Sequence, residues 1–193
     1  MHRILKITTI LMMFLVAATA FAGGTIKGKI VYKKKRWVRN SLVYIETVKG
    51  NWKPTQAEID QKGSTFIPKY LPVIKGSTVT FLNSDPTKHN VYSPDREKYD
   101  LGVTTQGGKL SYTFKKVGVY TQLCKLHPTM LAYVMVLQNP YYGMSDKTGA
   151  FTIEDVPPGK YKLLTWNERY KADPVEITVQ EGKVSEVEIK LHR

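Results

Sequence analysis

Cys124, His127 and Met130 share the stretch LCKLHPTM, and Cys124 is the only cysteine in the chain. A lone thiol closes no internal disulfide, so its neighbours decide what it is for. Thiolate, imidazole and thioether are the donor types of a blue-copper centre, in which two His nitrogens and a Cys sulfur form a trigonal plane with a weak axial thioether. The spacing suits such a site. Cys124 at a strand end, His127 across the turn and Met130 at the start of the next strand can all point into one small cavity. One short loop cannot surround a metal, so another imidazole must come from a distant loop. Of the remaining histidines, His2 lies in the N-terminal segment and His192 is penultimate, which leaves His89.

Other chemistries use the same residue types. A buried free cysteine, a loop histidine and a core methionine are each ordinary when taken singly. Zinc could take the same donors, although the thioether favours copper. Haem attachment through C-x-x-C-H is excluded by the single cysteine, and a Cys–His nucleophile lacks a third residue to orient it. Reduction of a small molecule would need a second metal centre, which three histidines cannot supply, so no enzymatic activity is expected.

The elements that must position these residues read as strands. After residue 22 the hydrophobic period is two, punctuated by Gly and Pro. GTIKGKIVY alternates Ile26, Gly28, Ile30 and Tyr32, KKKRWVRN reads as a solvated basic turn, and SLVYIET returns as a strand. NWKPTQAEIDQKG is the one candidate helix, short and weak. TFIPKYLPVIKGSTVTFLNSD predicts two strands broken at Pro72 and Gly76. Residues 84–109 read as loop-rich and carry His89. KLSYTFKKVGVYTQLC gives two strands hinged at residues 115–118. MLAYVMVL, apolar on both faces, suits a buried strand. AFTIEDVPPGKYKLLTW is strand, turn and strand, and PVEITVQEGKVSEVEIKL reads as a hairpin across QEGK. The fold class is therefore all-β.

The N-terminus bears on compartment. MHRILKITTILMMFLVAATAFA has a positive start, a short apolar run and small residues at its end, which reads as a signal peptide over residues 1–22 cleaved before Gly23. The apolar run is shorter than a membrane span requires. Removing Arg3 and Lys6 lowers the net charge from +13 to +11. Export argues against a nucleic-acid partner, and no membrane span is expected after cleavage. The expected location is periplasmic or secreted, where cysteines usually come in pairs. An unpaired Cys124 there fits metal ligation.

Two ligand regions carry a family resemblance. FLNSDPTKHNVYS and YTQLCKLHPTMLAYVMV resemble those of the cupredoxins, and C-x-x-H-P-x-M resembles the short ligand loop of amicyanin and other plastocyanin-like proteins of the methylamine-utilisation type. Phe66, Pro68, Val73, Gly76, Val79, Phe81 and Asn83 precede HNV at residues 89–91 in the same family manner. The resemblance implies a cupredoxin Greek-key β-sandwich with one type 1 copper: His89, Cys124 and His127 equatorial, Met130 axial. It also implies that Asn90 ties the His89 loop to the ligand loop. Gln122 departs from the pattern, since period two places it beside Tyr120 and Cys124 where an apolar or aromatic side chain is usual.

The C-terminal SDKTGAFTIEDVPPGKYKLLTW resembles the carboxypeptidase regulatory-like domain, a small transthyretin-like β-sandwich. Asp146, Gly149, Phe151, Pro157, Pro158, Gly159 and Tyr161 carry that likeness, and the strands that normally open such a domain match residues 24–46. The expected organisation is residues 23–50 with 139–193 as this sandwich and 51–138 as an inserted cupredoxin domain; the rival is two sequential domains. The implied function is single-electron transfer to a redox protein such as a cytochrome or dehydrogenase, acidic at the contact. Leu126 and Pro128 would flank the electron portal at His127. A copper carrier or sensor, and a non-redox binding module with a structural metal, are the competing readings.

Overall fold

The computed structural model describes residues 23–193; the expected signal peptide lies outside the described residues. The described chain is all-β. It opens with β1 (Gly24–Val31) and β2 (Leu42–Ile45), separated by a 3-10 turn at Lys35–Trp37. The middle of the chain supplies β3 (Gln56–Gln61), β4 (Phe66–Ile67), β5 (Tyr70–Ile74), β6 (Thr78–Asn83), β7 (His89–Ser93), β8 (Tyr99–Thr104), β9 (Lys109–Thr113), β10 (Gly118–Leu123) and β11 (Leu131–Leu137). The last part adds β12 (Tyr142–Met144), β13 (Ala150–Val156), β14 (Gly159–Trp166), β15 (Lys171–Ala172), β16 (Val175–Val179) and β17 (Val184–His192).

Period-two burial sorts these strands into two sandwiches. In the first, the sheet β5-β11-β10-β7-β8 faces the sheet β4-β3-β6-β9. Between them lie Ile59, Phe81, Tyr120 and Val134, together with Cys124 and Met130. In the second, β13-β1-β17-β15 faces β12-β2-β14-β16 over Ile26, Ile30, Val43, Phe151, Leu163 and Ile189. Fully burying such side chains stabilises the fold by about 1.5–3 kcal/mol each. β1 and β2 thus share sheets with strands that follow Asn139: β1 pairs with β13 and, in parallel, with β17, while β2 pairs with β12 and β14.

The chain leaves the second sandwich beside the point where it returns. Val48 donates its N–H to Gln138 Oε1 at 3.2 Å, and Gln138 Nε2 donates to the Val48 carbonyl at 3.3 Å. The two sandwiches meet over a third apolar cluster. β11 turns Ala132, Val134 and Val136 inward, while Met135 and Leu137 pack outward with Leu42. That explains why MLAYVMVL is apolar on both faces. Tyr133 stacks parallel to Tyr70 at 5.8 Å between ring centres and tilts against Trp166 at 4.8 Å.

Several local expectations are corrected. The candidate helix is β3: Ile59 and Gln61 are buried at period two, and β3 runs parallel to β6. A partner strand 22 residues further on overrides a weak helical preference. Pro72 does not break a strand. It sits inside β5, which ends its sheet, so its missing N–H removes no ladder bond. Residues 84–109 hold two strands, β7 and β8, rather than mainly loop. Finally, β16 and β17 are no hairpin ladder. They belong to different sheets and meet across the core, where Val179 packs with Ile189 and Leu191.

Candidate metal centre

Adjacent strands of the five-stranded sheet bring the candidate ligands together. His89 opens β7, and Cys124 follows the last residue of β10. The two strands pair where Leu123 faces Tyr92. His127 lies in the loop from β10 to β11, and its carbonyl accepts the Met130 N–H at 3.0 Å, a tight turn that returns Met130 to the core. One donor atom each from His89, Cys124 and His127 lies within 4.8 Å of the others. His89 Nδ1 is 3.1 Å from His127 Nδ1, which in turn is 3.8 Å from Cys124 Sγ. His89 is fully buried, Cys124 is 3% exposed and Met130 1%, whereas His127 is half-buried. Two imidazole nitrogens and a thiol converging at a largely buried point fit a soft or borderline metal. Met130 lines the same cluster as Cys124.

The tautomer of His89 follows from its far side. Asp85 Oδ2 lies 2.8 Å from His89 Nε2. The Asp85 carboxylate also accepts the N–H of Ser64 at 2.8 Å and of Gly63 at 2.6 Å, and these bonds with that to His89 hold its carboxyl down to about pKa 2. An ionised Asp85 requires a proton on Nε2, so Nδ1 is left bare toward Cys124 and His127. The two N–H donors come from a turn in which Gly63 and Ser64 both have positive φ, 62° and 52°. Such consecutive left-handed residues form a small anion-binding nest. Asn83 completes the support, donating to the carbonyls of Thr87 and Thr104 and accepting the Asp85 N–H.

Asn90 spans the site. Its backbone N–H points at Cys124 Sγ at 3.4 Å, and its Oδ1 accepts the Lys125 N–H at 3.3 Å. Its Nδ2 donates to Asp100 Oδ1 at 2.7 Å and to the Gly102 carbonyl at 2.9 Å. Asp100 is paired with Lys125, and that contact, with the Gly102 and Asn90 donors, pulls its carboxyl down to about pKa 2. Gln122 is fully buried but satisfied: its Nε2 donates to the Tyr120 carbonyl at 3.0 Å, and its Oε1 accepts the Tyr99 hydroxyl. Burial pushes the Tyr99 phenol well above its ordinary range. Outside, Leu126 (49% exposed) and Pro128 flank His127, and Val103 (56%) sits beside Asn90 in the β7–β8 ladder.

Sequence reasoning missed Asp85, Asp100, Tyr99 and Val103. Only Asp85 left a trace, four residues before His89, the reach of one turn. The other partners come from β8, a strand the sequence hid.

Comparison with known proteins gives partial likenesses. Residues 128–187 match a family described as polysaccharide lyase family 4, domain II. No curated protein matches the chain. Among solved structures, a purple cupredoxin from Nitrosopumilus maritimus is 26% identical over 42% of this chain and 98% of its own, with TM-score 0.39. An alanine-for-methionine variant of amicyanin in the Cu(I) form is 25% identical over 42% of this chain and 80% of its own, TM-score 0.40. The copper-containing nitrite reductase of Thermus scotoductus SA-01 is 22% identical over 58% of this chain but only 28% of its own, TM-score 0.42. No helix among the described residues is long and apolar enough to cross a membrane.

Proposed function

We propose that this is an exported single-electron carrier with one type 1 copper held by His89, Cys124 and His127 and capped by Met130. The observation that carries this reading is the convergence of the three equatorial donor atoms, within 4.8 Å of one another, at the end of the core where Cys124 and Met130 pack. Copper bound there supplies exchange between Cu(II) and Cu(I). The chain contributes a donor set acceptable to both states and a frame that does not rebuild between them. Asp85 fixes His89 in the Nε2–H tautomer, and Asn90 ties the β7 end to the ligand loop. The Asn90 N–H on Cys124 Sγ draws electron density from the sulfur.

His127 is the one candidate ligand that is half-exposed, so its outer edge is the natural electron portal. Leu126 and Pro128, extended by Val103, give an apolar contact face. The basic net charge steers an acidic redox protein, such as a cytochrome, into brief and salt-sensitive docking. In the domain organisation we favour, residues 51–138 are inserted into a regulatory-like sandwich made of 23–50 and 139–193.

The test is to add Cu(II) to the purified mature protein and record visible and EPR spectra. An intense thiolate-to-copper charge-transfer band with a narrow copper hyperfine splitting is expected. A colourless, redox-silent product with all four side chains intact would sink the proposal. Exchange of electrons with a cytochrome on mixing, without copper loss to a mild chelator, separates a carrier of electrons from a carrier of copper.

A further inference from the structure

Two of the cavities that open on the second sandwich are rich in basic and aromatic side chains, and neither is lined by a candidate copper ligand. One, of about 480 Å³, lies where the sandwiches meet and is lined by Arg36, Trp37, Arg39, Lys69, Glu168 and Arg169 among others. The other, of about 760 Å³, is lined by Tyr32, Lys33, Lys34, Tyr170, Lys190 and Arg193 among others. They are joined by an aromatic run: Trp37 meets Tyr170 edge-on at 6.2 Å, and Tyr170 meets Tyr32 at 4.2 Å.

Most of the positive charge in these cavities is unpaired, and two of its guanidiniums are held in place. Lys69 is paired with Glu168, which also accepts the Tyr70 hydroxyl. The other lysines and arginines named form no ion pair among the described residues. Arg36 and Arg169 stand over Trp37, 4.9 and 4.4 Å from its ring centre, a contact that positions both guanidiniums without neutralising them. Asn167 fixes the loop that presents Arg169. Its Nδ2 donates to the Trp37 carbonyl and to Ser41 Oγ, and its Oδ1 accepts the N–H of Arg169 and Tyr170. Like charges fixed side by side repel one another, and an anion that bridges them relieves that repulsion at little ordering cost.

We propose that the two cavities form a binding site for an acidic polysaccharide, with the carboxylates of successive sugar units taken by the arginines and lysines that flank the Trp37–Tyr170–Tyr32 run. Guanidinium forks take carboxylates in two parallel hydrogen bonds, which a flexible ammonium cannot match. A lipid surface is the poorer fit, because none of the exposed large hydrophobic side chains, Ile67, Val103, Val117, Leu126 and Val184, lines either cavity. A nucleic acid needs free aromatic faces for its bases. Here Trp37 is covered by arginine, and Tyr32 and Tyr170 pack on each other. The site is independent of the copper reading.

The experiment uses the mature chain with polygalacturonate as probe, followed by calorimetry at increasing salt. Binding that weakens as salt rises is expected. Replacing the three arginines together, R36Q/R39Q/R169Q, should weaken it about tenfold. The charge-conserving R36K/R39K/R169K should lie between that and wild type, and it keeps the test valid if the first variant folds poorly. A control with the same charge change on exposed lysines outside both cavities, K27Q/K29Q/K160Q, should stay within about twofold of wild type. The proposal is overturned if polygalacturonate does not bind at low salt. Equal losses in the control and the arginine variant, or tighter binding to phosphatidylcholine–phosphatidylglycerol vesicles or to a single-stranded oligonucleotide, overturn it as well.

Discussion

The two sandwiches are of similar build but are held together by different forces. The interior of the second is a jigsaw of Ile, Val, Leu and Phe, with Ser41 and Ser145 as buried polar groups near its edge and Asn139 at the crossing into the first. The first buries Gln61, Asn83, Asp85, His89, Asn90, Thr104 and Gln122, and most of these gather at one end around Cys124. Buried polar groups cost free energy unless every one is paired. At the Cys124 end they are paired, Gln61 Oε1 excepted, through contacts that fix Nδ1 of His89, the Cys124 sulfur and the ligand loop. Apolar packing maintains a fold; a directional polar network maintains the positions of particular atoms. The contrast therefore locates the chemistry.

The largest expected effect removes that chemistry while leaving the contrast of cores intact. Cys124→Ser should abolish the charge-transfer band altogether, because the band is a property of the copper–thiolate bond, while apo-protein melting moves little. Optical titration with Cu(II) beside calorimetric melting checks both halves. The next effect sits at the opposite pole. Ile153→Ala in the apolar sandwich should cost about 2–5 kcal/mol from lost burial and a residual cavity. Because Leu42, Met135 and Leu137 weld the sandwiches together, the spectral and circular-dichroism transitions should fall together. Separate transitions would show that the two cores unfold independently.

Within the polar end, Asp85→Asn tests whether the network tunes the metal as well as holding it. The amide offers no charge to His89 Nε2–H, so His89 becomes a weaker donor. Copper affinity should fall about tenfold or more, and the reduction potential should rise because Cu(II) loses more than Cu(I). Asp85→Glu, with charge retained, should recover part of the potential, which a merely structural role would not give. Smaller again is Gln122→Leu, which strands the buried Tyr99 hydroxyl and should cost about 1–3 kcal/mol. Adding Tyr99→Phe removes the stranded group, so the double variant should be more stable than the single one. If it is not, the Tyr99–Gln122 pair is not what satisfies this interior.

How far the sequence could be read follows the same division. Period-two strands with clear apolar alternation, such as β1 and β14, and the continuous apolar run of β11 were legible because burial writes itself into composition. β3 was not, because its pairing with β6 outweighs a sequence that has no strong strand residues except Ile59. The separation of β16 and β17 into opposite sheets was also hidden: a four-residue turn serves a hairpin or a crossing equally well. At the site, LCKLHPTM is local and therefore visible. Asp85 with its nest at Gly63–Ser64, and Asp100 beneath Asn90, are polar residues in polar stretches whose meaning appears only when distant strands meet. The Gln122 anomaly was visible, but its partner Tyr99 was not.

The smallest effect concerns the seam, where the two kinds of core meet. Glu168 there accepts the Tyr70 hydroxyl at 2.6 Å and the Lys69 ammonium at 3.0 Å. Burial pushes its carboxyl up, but the Tyr70 and Lys69 contacts outweigh that and leave its pKa below the ordinary 4.5. A carboxylate with a depressed folded pKa stabilises the fold above its unfolded value, and that contribution is lost as pH falls through the folded one. Lys69 is 41% exposed, so solvent screens the pair and Glu168→Gln should cost no more than about 1 kcal/mol near neutrality, a shift of about 2–4 °C in melting temperature. Once pH has fallen below that depressed folded value the wild type has itself become neutral here, so the difference between the two proteins should vanish. A difference that persists at low pH would mean that Glu168 acts through packing, and the seam would then belong with the apolar core rather than with the polar network.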